Sequence, residues 1–461
     1  MSNSALSPRR AGVRGADKSP NIVFILADDL GVLDLGCQGS TFYETPNLDG
    51  LAHEGMRFTS AYAACPVCSP TRAAALTGKW PQRTGITDYI SEAIGKLGGT
   101  KPGYPLLCPP AADKLSLSET TIAKKLKSTG YATGFVGKWH LGGEGTLPEN
   151  HGFDFSVGGD DRGGNAHVGP SKLHNLELKP GEWLMDRLTD KAIEFVVQSK
   201  DKPFLLWFTP YDPHTPLVGK PELVKKYEAK AAKLTAEFRD EPPRKDRRTQ
   251  THAVYAAMLE DMDRNLGRLF AMLPENTLVI FTSDNGGLST SEGSPTSNAP
   301  YRAGKGWLYE GGIREPLLVK WPGVVKPGTT SDSLAITCDF FPTFLEAAGL
   351  RPEKPNGVSL VPVFRGKKLA PRPLFWHYPH YGNQGGGMAA ALRDGDWKLI
   401  EWFVTERIEL YNLKSDPGEQ KNLAAQEPAR VKAMQATLHA WQKSVDAKFP
   451  IKNPNPKSEA K

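Results

Sequence analysis

The densest concentration of chemistry in the chain is Cys68-Ser69-Pro70-Thr71-Arg72, which runs on into Ala73-Ala74-Ala75-Leu76-Thr77-Gly78. Ser69 is suited to cap a helix and Pro70 to occupy its first position, where a missing N–H costs nothing. Cys68 then stands at the positive end of a helix. Backbone donors there, with Arg72 one turn in, favour an anion and ease ionisation and modification of a thiol. Taken alone, these residues also read as a capped helix with a buried cysteine.

Oxygen donors form two more clusters. Asp28-Asp29 end the apolar run from Asn21 to Ala27, and Asp284-Asn285 end the run from Thr277 to Ser283. Both runs predict buried strands, and open α/β sheets place ligand crevices at the carboxyl ends of such strands. Paired carboxylates either cap a turn or flank a cation that relieves their repulsion. Repetition at a second strand end favours the cation. With no paired thiols and no H-E-x-x-H helix, the set suits a hard cation better than zinc. Cationic and imidazole groups follow other predicted strands. Lys138 and His140 come after the strand Tyr131 to Val136, His214 after Phe204 to Phe208, and Lys305 lies between two glycines.

The stretch Cys68-Ser69-Pro70-Thr71-Arg72 with Leu76-Thr77-Gly78 resembles the signature of the type I sulfatases, in the alkaline-phosphatase-like superfamily. Gly137-Lys138-Trp139-His140-Leu141-Gly142, Pro213-His214-Thr215-Pro216 and Glu310-Gly311-Gly312-Ile313-Arg314-Glu315-Pro316 resemble the same family, in the same order, and the likeness runs from Asn21 to near the C-terminus. The resemblance implies that Cys68, not Cys65, is converted by a maturation enzyme to formylglycine, whose hydrate is the nucleophile. It implies calcium, with magnesium as the alternative, held by Asp28, Asp29, Asp284, Asn285 and the modified Cys68. It also implies a cationic ring around the sulfate. His214 and Lys305 would bind sulfate and protonate the leaving oxygen. His140, supported by Lys138, would take the remaining hydroxyl proton so that sulfate is ejected, and Arg72 would hold nucleophile and anion.

The expected reaction is hydrolysis of a sulfate monoester on a sulfated saccharide. Loops carrying Asp161, Arg162 and His167, and His377 and His380, are candidates for sugar contacts or for packing a domain junction. Two rivals stand beside this reading: a phosphoester or phosphonate monoester hydrolase of the same superfamily, and a catalytically idle glycan-binding protein.

The whole chain sets the frame for these motifs. Its 461 residues suit a large mixed, mostly parallel sheet flanked by helices, with a smaller C-terminal antiparallel sheet plus helix. Residues 1–18 are expected to be disordered, 19–370 to form the catalytic α/β domain and 371–461 a C-terminal α+β subdomain. The net charge of +6, from 57 basic and 51 acidic residues, is too mild to point to nucleic acid. The basic stretch from Asp240 to Arg248 lacks interleaved aromatics and reads as a solvated linker. No apolar run is long enough to cross a bilayer. Five cysteines make an odd count that is not a disulfide framework. Arg9-Arg10 precede no apolar h-region, so the N-terminus does not read as a signal peptide. The chain is therefore expected in the cytoplasm, or in the periplasm or outside the cell if a leader is missing.

Overall fold

The strand β1 (Asn21–Ala27) is buried on both faces, and its alternate side chains feed two cores. Val23, Ile25 and Ala27 pack into one apolar cluster, while Ile22, Phe24 and Leu26 pack into another. That division is the period-two consequence of an extended chain in the middle of a sheet covered on both sides. The computed structural model describes residues 19–91, 103–351 and 355–456, so the N-terminal segment for which disorder is expected lies outside them.

Around β1 the chain builds a nine-stranded sheet. Its further strands are β2 (Met56–Tyr62), β3 (Ala132–Gly137), β4 (Phe155–Val157), β5 (Phe204–Thr209), β6 (Thr277–Ser283), β7 (Arg314–Lys320), β8 (Thr329–Ser331) and β9 (Ala335–Ile336). The order is β8-β2-β7-β6-β1-β5-β3-β4, with β9 also paired to β2. The segment from β6 through β4 is parallel, and β7 runs antiparallel to both β6 and β2.

Helices α1 (Pro46–His53), α4 (Leu184–Gln198), α5 (Pro221–Ala231) and α6 (Ala253–Phe270) cover one face. On the other lie α2 (Cys68–Thr77), α3 (Ile122–Lys127) and α7 (Phe340–Ala347). A four-stranded antiparallel sheet follows, β10 (Leu374–Tyr378), β11 (Ala389–Asp394), β12 (Trp397–Trp402) and β13 (Ile408–Asn412), with α8 (Pro428–Ser444) against it. Phe375 stacks on Trp441 of α8 at 4.8 Å between ring centroids, and Trp376 Nε1 donates to the Ala63 carbonyl at 2.8 Å. This sheet shares an apolar cluster with Ala74 of α2 and Tyr62 of β2, so it buttresses the helix that carries Cys68.

The stretch expected as a basic linker is instead a hairpin, Phe238–Glu241 paired with Arg244–Arg247. Asp246 and Glu241 are buried in it and neutralised by Arg239, Arg248 and Arg302. Arg239 and Arg248 are thus partners of acids of the hairpin itself, and Arg302 joins them from elsewhere in the chain. Among the described residues no helix is long and apolar enough to cross a membrane.

Candidate active site

Four adjacent parallel strands bring the chemistry to one edge of the sheet. In the order β6-β1-β5-β3 their carboxyl ends lie side by side, and each runs directly into residues of the site. Asp284 and Asn285 follow β6, Asp28 and Asp29 follow β1, the loop bearing His214 follows β5, and Lys138 and His140 follow β3. Ala27 is the register partner of Ser283, which sets the two pairs of oxygen donors next to each other.

The N-terminus of α2 reaches the same point from above. Val67 caps it in an extended conformation, Cys68 is its first residue, and no side chain caps it. Ser69 is therefore not the N-cap: its Oγ accepts a hydrogen bond from Ile90 N at 3.0 Å. Pro70 sits in the first turn, where its N–H would be unpaired anyway. Burial pushes the Cys68 thiol up to about 12, against the pull of Lys138 and Lys305 and with help from Asp284 and Asp28. The expected easy ionisation is opposed, because burial outweighs the two neighbouring lysines.

Arg72, one turn into α2, spans the floor of the site. Its Nε and Nη2 donate to Asp284 Oδ2 at 2.9 and 2.6 Å, and its Nη1 donates to the Lys138 carbonyl at 3.0 Å. Lys138 Nζ lies 2.6 Å from Asp28 Oδ2. Lys305 Nζ lies 2.7 and 2.8 Å from the two oxygens of Asp29, and Asn285 Nδ2 donates to Asp29 Oδ1 at 2.8 Å. Burial alone would raise the Asp29 carboxyl, but Lys305, His214 and Lys138 outweigh it and hold Asp29 far below the ordinary carboxylate range. At Asp284 the balance reverses. Burial, with Asp28 and Asp29 nearby, lifts its carboxyl despite Arg72.

Two of these residues occupy left-handed backbone, Asp29 at φ 65° and His140 at φ 54°. Such conformations are uncommon outside glycine and persist where the surroundings hold them. For Asp29 the restraint includes its own N–H, which donates to Asp284 Oδ1 at 3.2 Å.

The two histidines have defined tautomers. His140 Nε2 lies 2.7 Å from the Ile90 carbonyl, which can only accept, so Nε2 carries the proton. Nδ1 is buried without a partner and presents its lone pair. Burial, then Lys138, depresses His140 well below its usual range, so the ring is neutral. His214 Nδ1 lies 2.6 Å from the Thr215 carbonyl, which leaves Nε2 facing Asp29 Oδ2 at 3.6 Å. Burial, reinforced by Lys138 and Lys305 and opposed by Asp29, depresses His214 as well.

The loop 158–169 covers both rings. A Cβ on Gly163 would stand 2.9 Å from Cε1 of His140, so the loop approaches that ring this closely only because it is bare there, while one on Gly164 would stand 3.2 Å from the Thr215 carbonyl and 3.4 Å from Nδ1 of His214. Asp161 and Arg162 on it are exposed. Arg162 is paired with Asp160 and donates to the Lys172 carbonyl at 3.0 Å. His167 is buried, with Nε2 3.1 Å from the His214 carbonyl and Nδ1 3.6 Å from Asp212 Oδ2, so it braces the His214 loop and does not face a ligand.

His377 and His380 are corrections of the same kind. His377 Nε2 lies 2.9 Å from the Lys448 carbonyl and Nδ1 lies 3.1 Å from Gln442 Nε2. His380 is buried, with Nε2 2.9 Å from Thr87 Oγ1 and Nδ1 3.9 Å from Asp88 Oδ2. The His377 ring is thus packed inside the C-terminal part, against Phe403 and Phe449, while His380, just past β10, is turned toward Thr87 and Asp88 of the main domain. Conversely, the pattern of residue types gives no sign of Ile90, whose part is played by a backbone carbonyl, or of Ser69 as its anchor.

A cation fits the residues present. Asp28 Oδ1 and Asn285 Oδ1 are buried and accept no hydrogen bond. Ligand atoms of Asp28, Asp29, Cys68 and His214 all lie within 4.8 Å of one another. Asp284 stands outside that group of four, with Oδ2 taken by Arg72 and Oδ1 by Asp29 N–H. A buried nest of acidic oxygens, ringed by two lysines, an arginine and two histidines around a cysteine at a helix N-terminus, defines a hydrolase site for an anionic ester.

Comparison with known proteins identifies the class more closely. The Sulfatase family matches residues 20–350, and the family described as N-sulphoglucosamine sulphohydrolase, C-terminal, matches residues 303–447. The chain is 32% identical to N-acetylgalactosamine-6-sulfatase of Sus scrofa, covering 90% of this chain and 78% of that protein. It is 33% identical to arylsulfatase A of Homo sapiens, covering 88% and 83%. The crystal structure of Ps i-CgsB in complex with k-i-k-neocarrahexaose superposes with a TM-score of 0.77 at 28% identity, covering 94% of this chain and 95% of that one. The chain belongs to the sulfatase family and has the alkaline-phosphatase-like fold. It is a sulfuric ester hydrolase, of a family that works with a formylglycine and a divalent cation.

Proposed function

We propose that this sulfatase hydrolyses a sulfate monoester on a saccharide, with Cys68 converted to formylglycine by a maturation enzyme and calcium bound by Asp28, Asp29, Asp284 and Asn285. The saccharide is supported by relatives named for a sulfated amino sugar and by a structural neighbour bound to a neocarrahexaose. Calcium is preferred over magnesium because the donors are several carboxylates and an amide carbonyl, an all-protein oxygen set that suits a larger and more tolerant cation, whereas magnesium usually keeps several waters. The observation that carries the reading is the convergence of Cys68 with buried acidic and amide oxygens, two of which accept no hydrogen bond, inside a ring of Arg72, Lys138, His140, His214 and Lys305.

When present, the cation and the aldehyde hydrate supply Lewis acidity and the nucleophilic oxygen. The remaining work falls to the chain. Lys305 and His214 stand on the Asp29 side and neutralise the incoming ester. Its negative charge favours a proton on His214 Nε2, which the neighbouring lysines otherwise disfavour, and that proton goes to the departing alkoxide oxygen. His140 Nδ1, unpartnered and neutral, accepts a proton in the step that releases sulfate. Lys138 keeps Asp28 in place, and Arg72 does the same for Asp284. The loop 158–169 lies against both imidazoles and leaves His140 buried and His214 partly exposed.

Co-expression with a formylglycine-generating enzyme, followed by intact-mass measurement and aryl ester assays, tests the proposal. Conversion at residue 68, sulfate release well above phosphate release, inhibition by EDTA with recovery on calcium addition, and an inactive but folded Cys68→Ala protein are the expected results. Full activity in Cys68→Ala, or preferential release of phosphate, overturns it.

A further inference from the structure

Glu292 is an exposed carboxylate on the rim of the site, in the loop that follows Asp284-Asn285-Gly286-Gly287. An exposed glutamate is ordinarily solvated and mobile, and contributes little. This one is held by three neutral donors from two other parts of the chain. Thr215 Oγ1 donates to Oε2 at 3.1 Å, while Asn383 Nδ2 and Gln384 Nε2 donate to Oε1 at 3.3 and 3.2 Å. Thr215 is the neighbour of His214. Asn383 is itself fixed by Arg244 of the hairpin, which donates to its carbonyl at 2.7 Å. Glu292 also has left-handed backbone, at φ 53°, so the loop is bent to present the side chain at this place.

Among the described residues no lysine or arginine forms an ion pair with Glu292. Its charge is nevertheless felt by Lys305, which grips Asp29. A negative charge left unpaired beside a site that collects cations for an anion works against anion binding, so its placement calls for a reason. Glu292 is instead tied to the neighbours of both anion-binding residues, to Thr215 next to His214 and to Gln384, which lies against Gly306 next to Lys305, and there it offers a fixed hydrogen-bond acceptor.

We propose that Glu292 is a specificity determinant: it accepts hydrogen bonds from uncharged hydroxyl or amide donors of the sulfated sugar and rejects sugars that carry a second anionic group on that side. This rests on the saccharide sulfatase reading above and extends it to the substituents next to the scissile sulfate. A second sulfate or carboxylate held within about 7 Å of the Glu292 carboxylate loses on the order of tenfold in affinity, for a dielectric between those of protein and water.

The test compares wild type, Glu292→Gln and Glu292→Asp, each converted at residue 68, on an aryl sulfate, a monosulfated neutral disaccharide and a disulfated disaccharide. With Glu292→Gln, kcat/KM for the aryl sulfate does not fall, that for the monosulfated sugar falls through KM, and preference for the disulfated over the monosulfated sugar rises about tenfold. Glu292→Asp keeps the charge, so it keeps the rejection of the second anion while losing the hydroxyl contact. An unchanged ratio of disulfated to monosulfated sugar in Glu292→Gln overturns the inference. Hydrolysis of aryl sulfate but of neither sugar by wild type defeats the saccharide reading instead. In that case calorimetric titration of the two sugars into wild type and Glu292→Gln still measures the rejection, and equal selectivity in both proteins refutes it.

Discussion

Replacing Arg72 by methionine keeps the length of the side chain while removing the guanidinium. In the native protein that group makes three buried hydrogen bonds, two to Asp284 Oδ2 and one to the Lys138 carbonyl. Breaking a buried ion pair from one side costs about 3–5 kcal/mol, because the remaining charge is stranded. The variant has an escape, however. Burial already raises the Asp284 carboxyl, and Arg72 is the strongest influence against that rise, so without Arg72 the carboxyl rises further. A raised carboxyl contributes stability that is present at low pH and is lost as pH climbs through its folded value. The penalty of Arg72→Met is therefore larger at pH 8 than at pH 6 and shrinks on acidification, by about 1.4 kcal/mol per pH unit in the window where Asp284 is charged in wild type and neutral in the variant. Urea titrations in EDTA at pH 8 and pH 6 read both quantities. For a chain of this length, a loss of about 4 kcal/mol moves the midpoint down by roughly 1 M. A penalty under about 1 kcal/mol at pH 8, or one that does not change with pH, refutes the assignment of Arg72 as the electrostatic partner of Asp284.

Two further outcomes follow from the same geometry. His140→Gln removes the free Nδ1 lone pair, so kcat on an aryl sulfate should fall by about 10²–10⁴ with KM little changed, as expected for a lost acid–base group; a loss confined to KM would rule out that role. Gly163→Val drives a branched side chain into the His140 ring and should lower kcat about tenfold without disturbing the thermal midpoint by more than a few degrees, as followed by steady-state kinetics and calorimetry; undiminished kcat would mean that the loop does not hold the ring.

Much of this protein can be read along its chain. Apolar runs ending in Asp28-Asp29 and Asp284-Asn285 announce strands that stop at acids, because strand burial and its termination are local properties of a few successive side chains. The order of motifs from Cys68 to Lys305 carries the family and the reaction in the same way. Position across the sheet is different. Asp28 and Asp284 meet only because β1 and β6, far apart in sequence, pair in a parallel register that sets Ala27 beside Ser283. His377, His380 and His167 have the residue type of a ligand contact, yet tertiary packing turns them toward Lys448, Thr87 and His214. The basic run near Arg244 becomes a hairpin only where Glu241 and Asp246 are drawn inward to be neutralised. Cys68 shows the division most clearly. Its sequence neighbours place it at a helix end that attracts charge, while burial by residues from all over the chain decides that the thiol stays protonated, because desolvation depends on everything packed around a group and not on what adjoins it in sequence.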